Sequence, residues 1–162
     1  MKILGVDQRT ARLGWGIVND KAGDQIVGEY GLIETKKTLA EPTRLKQLFD
    51  QFTKLLTSHH PDAVAVEDLF FAKNRTSAIK VAQARGVILV AAELAAIPSF
   101  SYTPLQIKQA VTGYGQADKA QVQQMTKAIL KLPAIPKPDD TADALAVALT
   151  HAFSYKLKSR VK

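Results

Sequence analysis

The chain has 162 residues, 46% hydrophobic and 23% charged, which excludes a disordered or fibrous polymer and fits one domain with a sizeable core. It contains no cysteine, which excludes disulfides and thiolate zinc sites and suits a reducing cytoplasm. A formal net charge of +7 favours nucleic acid over a membrane surface or acidic protein as partner, because each phosphate neutralised by a basic side chain releases counterions.

KILGVD (2–7) is an apolar run that breaks off at an acid and reads as a strand; the acid comes too early for a secretory signal. GWGIVN (14–19) and QIVGEYGLIET (25–35) continue as strands, with the turn residues Asp20, Gly23 and Asp24 between them. From Pro42 the period changes, and Leu45, Leu48, Phe49, Phe52, Leu55 and Leu56 form one helical face. DAVAVED (62–68) is apolar up to its terminal acids, as a central parallel strand should be. A long helix is predicted over 75–96, unusually apolar in its second half. There GVILVAAELAAI is interrupted by Glu93 and falls short of a membrane span. SFSYT reads as a short strand, followed by helices near 104–111, 118–132 and 139–155. Residues 156–162 read as a basic tail on a single domain spanning 1–155.

Three strands in hairpins, a crossover helix and a fourth strand describe an α/β fold with a mixed sheet flanked by helices. A right-handed crossover places strand 62–68 parallel to and beside strand 2–7. Such sheets gather catalytic groups at the carboxyl ends of their parallel strands, which here end in Asp7 and Glu67. Either acid alone is an ordinary solvent-facing strand end. The segment KPDDTADALAVALTHAF (137–153) adds three carboxylates at the mouth of an apolar helix. One is explained as an N-cap. At ~100° per residue, Asp140 and Asp143 share a stripe with Ala144, Val147 and His151, while Leu145, Leu149, Ala152 and Phe153 line the opposite side. A carboxylate half-buried on such a helix needs a cation, either a metal or a Lys or Arg. Asp7, Glu67, Asp140 and Asp143 can converge on one point, and an all-oxygen set suits Mg²⁺ or Mn²⁺.

These residues, in order, resemble a known family over essentially the whole chain. The match lies in LGVD (4–7), GWGIV (14–18), VEDLFFAKNRTSAIKVAQARG (66–86), IKQAVTGYGQADKAQVQQM (107–125), LKLP (130–133) and DDTADALAVALTH (139–151). The chain is similar to the RuvC-type Holliday junction resolvases. The resemblance implies an RNase H-like fold with a mixed five-stranded sheet, a homodimer, and Mg²⁺-dependent paired nicking of four-way DNA junctions that leaves 3′-hydroxyl and 5′-phosphate ends. It further implies a role in recombination and repair beside a branch-migration helicase. Asp7, Glu67, Asp140 and Asp143 fall on the family's metal-binding acids. Lys108 and Lys119 fall on its two functional lysines, and Phe70 on its junction-probing aromatic. Two Mg²⁺ ions, replaceable by Mn²⁺, would serve the attacking water and the leaving oxygen. Asp139 is left as the cap.

Other residues divide between site and scaffold. Lys119 follows Asp118 at a helix start spaced like a capping box with Gln121, where amides attract phosphate. Lys73 and Arg75 belong to a basic cluster with Lys80 and Arg85, and are assigned to DNA. Phe71 is expected in the core. Asp68 must point to the sheet face opposite Glu67. His151, ~12 Å along the helix from Asp143, is a core or supporting residue and no ligand of the same ion. One departure stands out: the family follows its first acid with Pro-Gly, whereas Asp7 is followed by Gln8, Arg9 and Thr10. The rebuilt turn is expected to offer Arg9 and Arg12 to passing phosphates. Three rival readings remain: an RNase H-like nuclease for another structured nucleic acid, a junction-binding protein with an idle metal site, and an actin-like phosphotransferase. The last needs a second domain and Gly-rich loops for which the chain has no room.

Overall fold

A computed structural model describes residues 1–9, 12–69 and 75–160; the side chains of residues 75 and 156–160 are outside the described set. Phe70, Phe71 and Lys73 therefore lie outside the described residues, as does the side chain of Arg75.

The chain runs β1 (Lys2–Gln8), β2 (Arg12–Lys21), β3 (Asp24–Glu34), α1 (Glu41–His59), β4 (Ala63–Glu67), α2 (Arg75–Leu94), β5 (Ser99–Tyr102), α3 (Pro104–Thr112), α4 (Lys119–Ile129) and α5 (Asp139–Arg160). One five-stranded sheet has the order β3-β2-β1-β4-β5, antiparallel through β1 and parallel from β1 to β5. This is the expected mixed sheet, with β4 beside β1. The β2–β3 hairpin turns at Ala22 and Gly23, both at positive φ (52° and 104°); at Gly23 the missing Cβ makes this conformation easy.

Alternation along the strands sorts side chains into two cores. Leu4, Val6, Val64 and Val66 pack with Leu48, Phe52 and Leu56 of α1 and with Ala84, Ile88 and Ala91 of α2. Ile3 and Ala65 face the other side, against Leu145, Ala148 and Leu149 of α5 and Ile107 and Val111 of α3. Each fully buried Leu, Ile or Phe contributes roughly 1.5–3 kcal/mol, so both layers are firmly held to the sheet. Helix α5 is buried on nearly all sides from Ala142 to Ala152, apart from Asp143, because it lies between the sheet and α3 and α4. That accounts for its two apolar stripes. It continues through Arg160, past the boundary expected at 155.

The apolar second half of α2 divides. Ile88 is fully buried in the chain's own core, whereas Val90 (55%) and Leu94 (72%) are exposed, as is Ile79 (60%) one face away from the sheet. No helix among the described residues is long and apolar enough to cross a membrane.

Candidate active site

Asp7 is the second-last residue of β1, and its cross-strand partner in β2 is Gly14. On its other side β4 runs parallel in the register Val6↔Val66, which brings Glu67 level with Asp7. Ile3, Gly5 and Asp7 alternate onto the face covered by α5, as do Ala65 and Glu67. The helix lies unusually close there. A Cβ on Gly5 would fall 2.1 Å from the Ala144 carbonyl oxygen, and one on Gly14 would fall 2.1 Å from that of Asp140. Both glycines are needed for this approach, which carries the first turn of α5 onto the ends of β1 and β4. As a result one carboxylate oxygen each of Asp7, Asp140 and Asp143 lie within 4.8 Å of one another.

Asp7 and Asp140 are buried (3% and 4% exposed). Burial, reinforced by Asp143 and Asp140 and opposed by Arg9, pushes the Asp7 carboxyl up to about 6. Burial, with the charges of Asp7 and Asp143 and a hydrogen bond to Asp7, pushes Glu67 up to about 7. Asp7 and Glu67, both with raised carboxyl pKa beside Asp140 and Asp143, mark a concentration of negative charge that a divalent cation would offset. The all-oxygen donor set fits Mg²⁺ or Mn²⁺.

Part of the compensation comes from the protein. The Arg9 Nε stands 2.6 Å from Asp140 Oδ1 and 3.2 Å from Asp7 Oδ2, and its Nη2 stands 3.2 Å from Asp143 Oδ2. Burial would weaken the base, but the three carboxylates outweigh it and raise the affinity of Arg9 for its proton. Arg12 Nε adds a longer contact of 3.5 Å to Asp140 Oδ2. Lys119 Nζ donates to Asp143 Oδ2 at 2.9 Å and lies 3.6 Å from Asp139 Oδ2. Its position is set by the start of α4. Asp118 Oδ1 accepts from the Gln121 amide at 2.8 Å, while the Gln121 side chain accepts from the Asp118 amide at 2.8 Å. This is the expected capping box. Partial burial opposes the charged form of Lys119, and the bond to Asp143 more than restores it.

Arg9 is folded back onto the acids, because three carboxylates within reach compete with solvent for a guanidinium. Asp139 gives its carboxylate to Lys137 (3.0 Å) and Lys119 rather than to helix amides, and the Lys137 bond holds it below the usual carboxylate range. Gln8 is buried and donates through Nε2 to the Glu67 carbonyl at 2.9 Å, tying the ends of β1 and β4 together. Neither Gln8 nor the inward turn of Arg9 was evident from the sequence. The available signal was an excess of clustered acids two residues from an arginine.

Asp68 lies on the opposite face and pairs with Arg85 of α2 at 3.5 Å. His151 is a buried core residue, its Nδ1 2.7 Å from the Tyr102 hydroxyl and its ring 4.4 Å from that of Phe100. Lys108 is half-buried on α3, and the ion pairs among the described residues do not join it to the acids.

A family model described as "Crossover junction endodeoxyribonuclease RuvC" matches residues 3–151. The crossover junction endodeoxyribonuclease RuvC of Brevibacillus brevis is 55% identical over 153 residues, covering 94% of this chain and 92% of that protein. The RuvC of Rubrobacter xylanophilus is 50% identical, covering 97% and 88%. Among solved structures, Thermus thermophilus RuvC in complex with a Holliday junction substrate superposes with a TM-score of 0.93 at 37% identity, over 98% of this chain and 97% of that one. The same protein in a separate structure gives 0.90 at 36% identity.

Proposed function

The chain belongs to the RuvC family of crossover junction endodeoxyribonucleases and is a nuclease; from that premise we propose that it resolves four-way DNA junctions by paired, Mg²⁺-dependent nicks leaving 5′-phosphate and 3′-hydroxyl ends. The observation that carries the reading is the convergence of Asp7, Asp140 and Asp143, with Glu67 bonded to Asp7, at the carboxyl ends of two parallel strands.

In this reading Asp7, Glu67, Asp140 and Asp143 hold two divalent ions. When bound, these ions lower the pKa of the attacking water and steady the leaving oxygen. Lys119, presented by the capped end of α4 and oriented by Asp143, offers a donor to a phosphate oxygen beside the acids. Lys108, Lys73 and Arg75 take phosphates further along the strand, supplying affinity that falls steeply with salt. Phe70, three residues after Glu67, stacks on a base opened at the junction centre.

Symmetric nicking requires two sites related by a two-fold axis, which a homodimer supplies. The exposed Val90 and Leu94 of α2 are the apolar surface such a pairing would cover. The enzyme would then act in recombination and repair alongside a branch-migration helicase, in the cytoplasm where chromosomal DNA lies.

One gel tests the reading. A synthetic four-way junction, a plain duplex and an RNA–DNA hybrid are each incubated with Mg²⁺ and with chelator. Selective, chelator-sensitive cutting of the junction is expected. Preferential cutting of the hybrid would favour the nuclease with another substrate, and binding without cutting would favour the idle site.

A further inference from the structure

Arg9 touches all three members of the clustered acids at once, through Nε to Asp7 and Asp140 and through Nη2 to Asp143. Those are the same three carboxylates whose oxygens lie close enough together to hold one metal ion. A divalent ion held by these carboxylates at about 2.0–2.1 Å would repel a guanidinium a few ångströms away and compete with it for the same negative charge. The carboxylates are fixed: Asp7 and Asp140 are about 95% covered and are carried on β1 and the first turn of α5. The arginine is not fixed. Its side chain is half-exposed at 49%, and its amide donates to the Arg12 carbonyl at 2.9 Å across the strand end.

We infer that Arg9 is a displaceable internal cation: it occupies the metal site in the absence of metal, competes with the divalent ion for Asp7, Asp140 and Asp143, and swings out when the ion binds. This rests on the reading of the acids as a metal site. A groove lies open to the released side chain. Arg9 and Arg12 line it together with Lys36, Lys37, Arg44 and Lys80, so a phosphate strand entering there would meet the freed guanidinium. Arg9, in the turn that follows Asp7, thereby makes metal loading compete with an internal ion pair.

The test is Mn²⁺ titration by calorimetry into the full chain, into Arg9→Ala and Arg9→Gln, and into Asp140→Asn. The glutamine variant keeps most of the length without the charge. Both Arg9 variants are expected to bind Mn²⁺ about tenfold more tightly than the unaltered protein, and Asp140→Asn to lose binding. In the unaltered ¹⁵N-labelled protein, the Arg9 Nε signal should shift on Mg²⁺ addition, saturating with the binding isotherm. Equal or weaker Mn²⁺ affinity in both Arg9 variants, with Asp140→Asn still dead, overturns the competition and leaves the metal site standing. An Arg9 Nε signal unmoved at Mg²⁺ saturation overturns it too, without any variant having to fold. Mn²⁺ binding indifferent to Asp140→Asn would sink the metal-site reading and this inference with it.

Discussion

The backbone of Asp140 rests directly on Gly14, so closely that a Cβ there would fall 2.1 Å from the Asp140 carbonyl oxygen and 2.9 Å from its Cβ. Since Gly14 is the cross-strand partner of Asp7, this contact sets how far the first turn of α5 stands from the end of β1. Gly14→Ala must push the helix start away. It should cost roughly 1–3 kcal/mol in stability, as overpacking does, and also weaken Mn²⁺ binding by separating Asp140 from Asp7. Thermal melts and a metal titration check both effects. A variant with normal stability and metal affinity would show that the helix start is not set by this contact.

The raised carboxyls imply a pH dependence whose sign is fixed. Unfolded Asp and Glu ionise near pH 4, whereas folded Asp7 and Glu67 keep their protons up to about 6 and about 7. Between these limits the folded state holds more protons than the unfolded one, so stability falls as pH rises. In chelator, the melting temperature should drop from about pH 5 to about pH 7.5, over and above the protein's other titrations. Mg²⁺ favours the ionised acids and should reduce or reverse the drop. A melting temperature in chelator that stays level across this range would mean the acids are already compensated.

Asp143 is the more exposed member of the cluster (20%) and holds both Arg9 and Lys119. Asp143→Asn keeps the shape but removes the charge that would hold an ion. Junction affinity should be unchanged or improved, since repulsion of phosphate falls, while cleavage stops. Gel shift and cleavage assays on one junction separate the two. Near-normal cutting in Mg²⁺ would remove Asp143 from the metal site.

Phe70 is expected to act after binding. A stacked aromatic contributes ~1–3 kcal/mol per base, enough to hold a base unpaired beside the acids. Phe70→Ala should bind junctions almost normally yet cut them slowly, and should cut pre-opened junctions better than fully paired ones. A markedly lower melting temperature would instead make Phe70 a core residue.

Much of this protein was determined by sequence alone. Strand order, the two-sided burial of α5, the Asp118–Gln121 cap, the opposed faces of Glu67 and Asp68 and the core position of His151 follow from periodicity and local hydrogen bonding. The cap and the facing of side chains depend on residues a few places apart, and the strand order on the handedness of the crossover. Convergence of the acids was legible in outline, because a right-handed crossover and an apolar helix leave few ways to pack. Tertiary structure decided the rest. That Gly5 and Gly14 admit α5 close enough for Asp140 to meet Asp7 depends on contacts between segments more than 100 residues apart. The inward fold of Arg9 depends on three carboxylates from two elements meeting at one place, and the pairing of Asp139 with Lys119 depends on α4 reaching the start of α5. A charged side chain takes the partners that lie nearest in space, and a sequence read along the chain does not contain that distance.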